Sequence, residues 1–249
     1  MTSILSNSQI DKIRKAGRIV SACHVSLRDF IRPGLRTSEV DKFVENFIVS
    51  HGAVPAQIGY MGYPYAACTA LNDEICHAFP DETVIREGDV LKVDFVVNLD
   101  GWLADSAWCY AVGDISKEAE FLMKTTRECL YLGIRQAIDG NRIGDIGNAI
   151  QTHAESKGMS VVREYTGHGI NTVMHDGLVV PHYGRPGKGP RIREGMVFTI
   201  EPMINAGAPG CTIDGDGWTA RTVDGSLSAQ YEHTIAILPN GPEIITEQD

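Results

Sequence analysis

Apolar residues in the first fifty positions fall on two helical stripes. In QIDKIRKAGRIVSACHVSLRDFI, residues 9–31, the positions Ile10, Ile13, Ile19, Cys23 and Leu27 recur near a 3.6-residue period. Ser8 is the expected N-cap, and Pro33-Gly34 ends the helix. Thr37 is expected to cap a second amphipathic helix, SEVDKFVENFIVSH, closed by Gly52. The pattern then returns. A long helix begins around Ser116 and breaks at Asp139-Gly140, and GDIGNAIQTHAESK follows, closed by Gly158. The two helix pairs superpose at an offset of 106 residues, which sets Gly34 on Gly140, Val40 on Ile146, Val44 on Ile150 and Gly52 on Gly158. A single repeat of that length is too long for a solenoid period. It predicts two related α+β halves, roughly 8–113 and 116–240, packed as one catalytic domain over 1–249.

Between the helix pairs the pattern shortens to that of strands. DVLKVDFVVNLDGWLADSAWCYAV reads as a β-hairpin turning at Asp100-Gly101. Val96 then lies opposite Asp105, and Asp94 shares its face, so Asp94 and Asp105 become diagonal neighbours roughly 7–8 Å apart at Cα. Two carboxylates aimed into one space repel unless they share a proton or hold a cation. Val93, Phe95 and Val97 flank Asp94, which argues against a simple solvated face. In VFTIEPMI, residues 197–204, Glu201 sits among strand formers, and Pro202 belongs at an edge or a bulge because it cannot donate to a ladder. The 106-residue offset carries Asp94 to position 200, beside Glu201. Glu232 interrupts SLSAQYEHTIAIL in the same way. These are four carboxylates on four predicted strands, two from each half, and no arginine or lysine is expected to pair them.

YTGHGINTVMHDGLVVPHY carries His168, His175 and His182 at sevenfold spacing. Gly167, Gly169, Gly177 and Pro181 exclude a helix there. His168, between two glycines, is expected on open backbone that lets another group come close. Four acids and an imidazole would make an oxygen-rich site suited to Mn²⁺, Fe²⁺ or Co²⁺ and tolerated by Zn²⁺. They are too many ligands for one tetrahedral zinc, so two metal ions sharing bridging carboxylates is the natural count.

Composition narrows the class without changing this picture. The 249 residues are 43% hydrophobic and 22% charged, ordinary for a globular chain, with a formal net charge of −10. No dense Lys/Arg cluster suggests nucleic acid or an anionic membrane surface. The six scattered cysteines form neither a CxxC pair nor a zinc spacing, and read as reduced thiols of the cytoplasm. MTSILSNSQ shows no signal-peptide pattern, and no apolar run approaches 18 residues.

Five segments together resemble the type I methionine aminopeptidases: NDEICHAFP at 72–80, VDFVVNLDGWLADSAWCYAVG at 93–113, YTGHGI at 165–170, FTIEPMI at 198–204 and LSAQYEHTIAI at 227–237. The resemblance runs from about residue 8 to residue 237 and implies the α/β "pita-bread" fold, two related halves around a curved antiparallel sheet flanked by helices. It implies that Asp94, Asp105, His168, Glu201 and Glu232 ligate two divalent metal ions, with Asp105 and Glu232 bridging. By the same resemblance His77 lies near the substrate's amino end, His175 bonds the scissile carbonyl, and Glu201 also moves the proton of the attacking water. Tyr60, Tyr63, Cys68, Met174 and Trp218, with His77 and His175, would bind the methionine. The implied reaction removes the first methionine from nascent proteins and peptides when the second residue is small. A monomer is expected, and ribosome association is expected only because the substrates are nascent chains.

Four departures from the family pattern stand out: Gln57 where a small residue or cysteine is common, Ala78 after His77, Asn171 two residues past Gly169, and Asp176-Gly177-Leu178 in place of Glu-x-Pro. The nearest rival is an X-Pro aminopeptidase or prolidase, which usually carries a further N-terminal domain. A peptide-binding relative without catalysis would not need five intact ligands. A mononuclear iron oxygenase built on His168, His175 and one carboxylate would leave three strand acids unexplained.

Overall fold

The structure, a computed structural model, describes residues 3–248. Four helices carry the predicted repeat: α1 (Asn7–Phe30), α2 (Thr37–Ser50), α3 (Lys117–Gln136) and α4 (Ile143–Ser156). The bounds of α2 and α4 differ by the expected 106 residues at both ends. Ser116 caps α3, its side chain accepting from the Ala119 N–H.

Two predicted caps move. Ser6 rather than Ser8 precedes α1, and its backbone N–H is taken by the Gln9 side chain at 2.9 Å. Arg36 precedes α2, while the Thr37 hydroxyl turns away to Asp81, accepting its N–H at 2.9 Å. A tertiary partner outcompetes the local cap.

The strands Val90–Leu99 and Trp102–Ala111 form the predicted hairpin, with Val96 opposite Asp105 and Asp94 opposite Ala107. Its turn needs positive φ at both central residues, and Asp100 and Gly101 adopt 53° and 83°. In the second half Val197–Ile200 and Met203–Asn205 are separated by Glu201-Pro202, which leave the ladder. Pro202 therefore makes a break rather than a bulge: His233 faces Ile200 and Gln230 faces Met203, so the register is unchanged across the gap. All the strand pairings are antiparallel.

The repeat extends into these strands with one change. Val54 and Pro55 pair with Asn98 and Val97, and their counterparts Ser160 and Val161 pair with Asn205 and Ile204. The offset is thus 106 in the helices and 107 in the strands they meet. By the strand offset, Asp94 corresponds to Glu201 itself.

The main core runs continuously through both halves, from Ile10 and Ile13 of α1 through Phe95 and Val97 to Leu122 and Leu130 of α3 and Phe198. The halves also meet along a polar seam. Glu232 N–H donates to the Ala107 carbonyl at 2.8 Å, the Ser106 hydroxyl donates to the Glu232 carbonyl at 2.7 Å, and Thr234 Oγ1 donates to the Asp105 carbonyl at 2.8 Å. Among the described residues no helix is long and apolar enough to cross a membrane.

Candidate metal centre and adjoining slot

One cavity of about 320 Å³ is walled by Asp94, Asp105, His168, Glu201 and Glu232, the five residues singled out from the sequence. Asp94 and Asp105 arrive on the two hairpin strands, Glu201 at the strand break, and Glu232 from the segment opposite it, just before His233–Leu238. A His168 nitrogen and one oxygen each of Asp105 and Glu232 lie within 4.8 Å of one another. His168 Nε2 stands 3.6 Å from Asp105 Oδ2 and 3.7 Å from Glu201 Oε1.

His168 reaches this position because its neighbours lack side chains. A Cβ on Gly167 would meet the Thr199 carbonyl oxygen at 2.4 Å, and one on Gly169 would meet Asp176 Oδ1 at 2.0 Å. The segment 165–182 is not helical, as its glycines required.

The electrostatics are those of a site short of positive charge. Burial pushes all four carboxyls up, Asp105 to about 7 and Glu201 to about 8, with Asp94 and Glu232 raised well above the ordinary range; neighbouring acids add to the rise of Asp94, Glu201 and Glu232. Among the described residues, Asp94 Oδ1, Asp105 Oδ1 and Glu232 Oε1 are enclosed without a hydrogen-bond partner. Unpartnered acceptors on converging acids are what a divalent cation satisfies, so this donor set fits a metal. Lys92 lies two residues before Asp94 but does not neutralise it. Its fully buried ammonium donates instead to the carbonyls of Asn72 and Ser228, both at 3.0 Å.

Three residues brace the acids: Thr199 and Thr234, which the sequence did not single out, and His182, to which it assigned no role. The His168 backbone N–H donates to Thr199 Oγ1 at 2.9 Å, and that hydroxyl donates to Glu201 Oε1 at 2.7 Å, tying the backbone that carries His168 to a carboxylate. The Asp105 N–H donates to Thr234 Oγ1 at 3.0 Å. The Glu201 N–H donates to Nε2 of buried His182 at 3.1 Å, so His182 carries its proton on Nδ1. Each threonine lies two residues along the chain from an acid, which is the one signal that could have marked it.

A second cavity of about 330 Å³ adjoins the first, lined by Tyr60, Tyr63, Cys68, Met174 and Trp218, with Gln57, Met61, His77 and His175. All seven residues expected around a methionine side chain line it. Tyr63 packs edge-on against Trp218 and Phe79, with ring centres 5.1 and 5.3 Å away. Gln57, His77, Met174 and His175 line both cavities and mark the junction. His77 adopts a left-handed φ of 57°, a conformation non-glycine residues seldom take outside turns and functional sites. Burial of His77 and the partial desolvation of the more exposed His175, each reinforced by His168, push both down to about 4, leaving the rings uncharged near neutral pH.

The departures have structural readings. Asn171 Nδ2 donates to Asp176 Oδ2 at 2.8 Å, and Asn171 Oδ1 accepts the Val173 N–H at 3.1 Å, so two of the departures clamp the loop that carries His175. Gly177 takes a φ of 84° that favours glycine. Ala78 is buried, and its carbonyl accepts from the Tyr63 hydroxyl at 3.2 Å. Gln57 directs Nε2 to the Cys68 sulfur at 3.7 Å and leaves Oε1 without a partner among the described residues.

Comparison with known proteins identifies the family. Residues 11–239 match metallopeptidase family M24. Methionine aminopeptidase A of Synechocystis sp. is 47% identical over 245 residues, 98% of this chain and 97% of that protein. The crystal structure of methionine aminopeptidase from Rickettsia prowazekii superposes with a TM-score of 0.98 at 41% identity, covering 99% of this chain and all of that one. Prolidase from Pyrococcus furiosus shares the fold at a TM-score of 0.79 and 19% identity, and the match covers only 66% of that chain. The chain belongs to the methionine aminopeptidases of metallopeptidase family M24 and has their pita-bread fold.

Proposed function

We propose that this chain removes the N-terminal methionine from nascent proteins and peptides whose second residue is small. The observation that carries the reading is the junction of an apolar slot with a cluster of unneutralised acids. A side chain seated among Tyr63, Cys68, Met174 and Trp218 leaves the first peptide bond of its chain beside Asp105, His168, Glu201 and Glu232. Sulfur and aromatic faces suit a thioether.

Asp94, Asp105, His168, Glu201 and Glu232 would hold two divalent ions, and Mn, Fe, Co and Zn all suit the donor set. When bound, the metal would supply a water acidic enough to attack at neutral pH and a Lewis acid for the carbonyl. Glu201, held by Thr199 and His182, takes up the water's proton and passes it to the leaving amine. His175 donates to the scissile carbonyl oxygen as negative charge develops there, a contact worth about 2.7–4 kcal/mol for a well-placed donor. His77 lies against the first residue, and the acids favour a cationic amino terminus over an extended chain. The work falls to one catalytic domain, a monomer of the cytoplasm that meets its substrates as they leave the ribosome.

Purified protein would be stripped with a chelator and offered Met-Ala-Ser, Ala-Ala-Ser and a Met-Pro peptide, with each of Mn²⁺, Co²⁺, Fe²⁺ and Zn²⁺ added back. Release of methionine restored by metal, with Ala-Ala-Ser left intact, is the expected result. Cleavage of none of the peptides by any metal form would refute the proposal.

A further inference from the structure

The Tyr60 hydroxyl lies 2.6 Å from His175 Nδ1, and the two rings meet at 5.3 Å with 34° between their planes. The resemblance gave Tyr60 only a place in the wall of the slot. Its hydroxyl has no other hydrogen-bond partner among the described residues. Tyr60 opens a short 3₁₀ turn, Tyr60–Gly62, entered through the left-handed Gly59. That turn projects the tyrosine across the slot toward the loop bearing His175.

An uncharged imidazole carries one proton, and which nitrogen holds it is set by the bond the other nitrogen makes. A phenol O–H is a stronger donor than an imidazole N–H, and an imidazole nitrogen is a stronger acceptor than a phenol oxygen. Tyr60 is therefore the donor and Nδ1 the acceptor. The ring proton is then left on Nε2, on the opposite edge of a ring whose centre is 4.0 Å from that of His168.

We propose that Tyr60 is a positioning residue, which holds His175 in its Nε2–H tautomer and fixes its plane so that Nε2–H is a ready donor at the junction of the two cavities. The proposal rests on the hydrolytic role of His175 argued above. Were the tautomer reversed, a lone pair would face the carbonyl oxygen and repel the charge that develops on it. Asn171 and Asp176 clamp the backbone on either side of His175, and Tyr60 fixes the ring. The loop and the proton position are thus set by separate contacts.

Tyr60→Phe keeps the ring and its apolar surface and removes the donor. The expected result is a kcat lowered about tenfold to a hundredfold, a fraction of what a lost oxyanion donor costs, with KM little changed. In a His175→Ala background the same substitution is expected to lower kcat no further. Long-range ¹H–¹⁵N spectra of the zinc-loaded protein should show His175 protonated on Nε2 in the parent and divided between both nitrogens in Tyr60→Phe. An equal loss in the two backgrounds, or a change in KM alone, would mean that Tyr60 acts only as a wall of the slot and would overturn the proposal. An Nδ1–H tautomer in the parent would overturn it too, and that spectrum is readable even if the protein cleaves no peptide.

Discussion

Replacing Glu201 with glutamine should abolish hydrolysis and, in metal-free protein at alkaline pH, strengthen the fold. Burial lifts the Glu201 carboxyl from 4.5 to about 8 in the folded chain. A raised carboxyl means that the folded state keeps a proton which the unfolded state gives up. The stability it contributes is complete below pH 4.5 and is lost as pH climbs through 8. Between pH 5 and pH 8 that loss amounts to about 3–4 kcal/mol from this group alone. For a domain of this size it corresponds to roughly 10 °C in melting temperature.

Glu201→Gln keeps the shape and the acceptor for Thr199 Oγ1 but cannot ionise. Asp94, Asp105 and Glu232 still titrate, so the variant should retain a shallower slope rather than none. Thermal melts of both proteins after chelation, at pH 5, 6.5 and 8, would read the effect. The curves should lie close together at pH 5, and the variant should melt several degrees higher at pH 8. Added divalent metal should reverse that order, because only the parent has the full carboxylate set to bind it. A metal-free parent equally stable at pH 5 and pH 8 would refute the claim that these acids are buried without compensation.

Two further outcomes test the geometry around the acids. Gly167→Ala places a Cβ 2.4 Å from the Thr199 carbonyl oxygen, so His168 must shift and metal affinity should fall at least tenfold, measured by calorimetric titration. An affinity equal to the parent's would show that the close approach is not needed. The slot's junction with the acids should admit Gly, Ala, Ser or Thr as the second residue, and Met-Leu peptides should be cleaved far more slowly than Met-Ala peptides; equal rates would contradict the reading.

Much of this site was legible because its signals are local. Asp100-Gly101 sets the hairpin register, and that register alone places Asp94 and Asp105 on one face. Glu201 and Glu232 stood out because a carboxylate among strand formers needs a partner, whichever partner that is. The bracing residues were not legible. Thr199 and Thr234 read as ordinary strand threonines, and His182 serves Glu201 through its backbone N–H, a contact no side-chain pattern announces. The Thr37 cap failed for a related reason, since Thr37 found Asp81 across the fold, a partner 44 positions along the chain.

The one-residue difference between helix and strand offsets puts Glu201 on the strand face that Asp94 occupies in the first half. Side chains alternate between the faces of a strand, so a shift of one residue exchanges the two faces. At an offset of 106 throughout, Ile200 would occupy the position corresponding to Asp94 and Glu201 would turn to the opposite face. The strand pairing instead runs at 107, as Ser160 with Asn205 and Val161 with Ile204. Ile200 is then free to enter the core, where it is fully buried, and Glu201 takes the place of Asp94. The helices tolerate the mismatch because the extra residue falls after them, between Val161 and Ile204. The extra residue thus lies in the connection between Val161 and Ile204, and the pairing of Val54 with Asn98 is kept as Ser160 with Asn205, which sets Glu201 where the first half has Asp94.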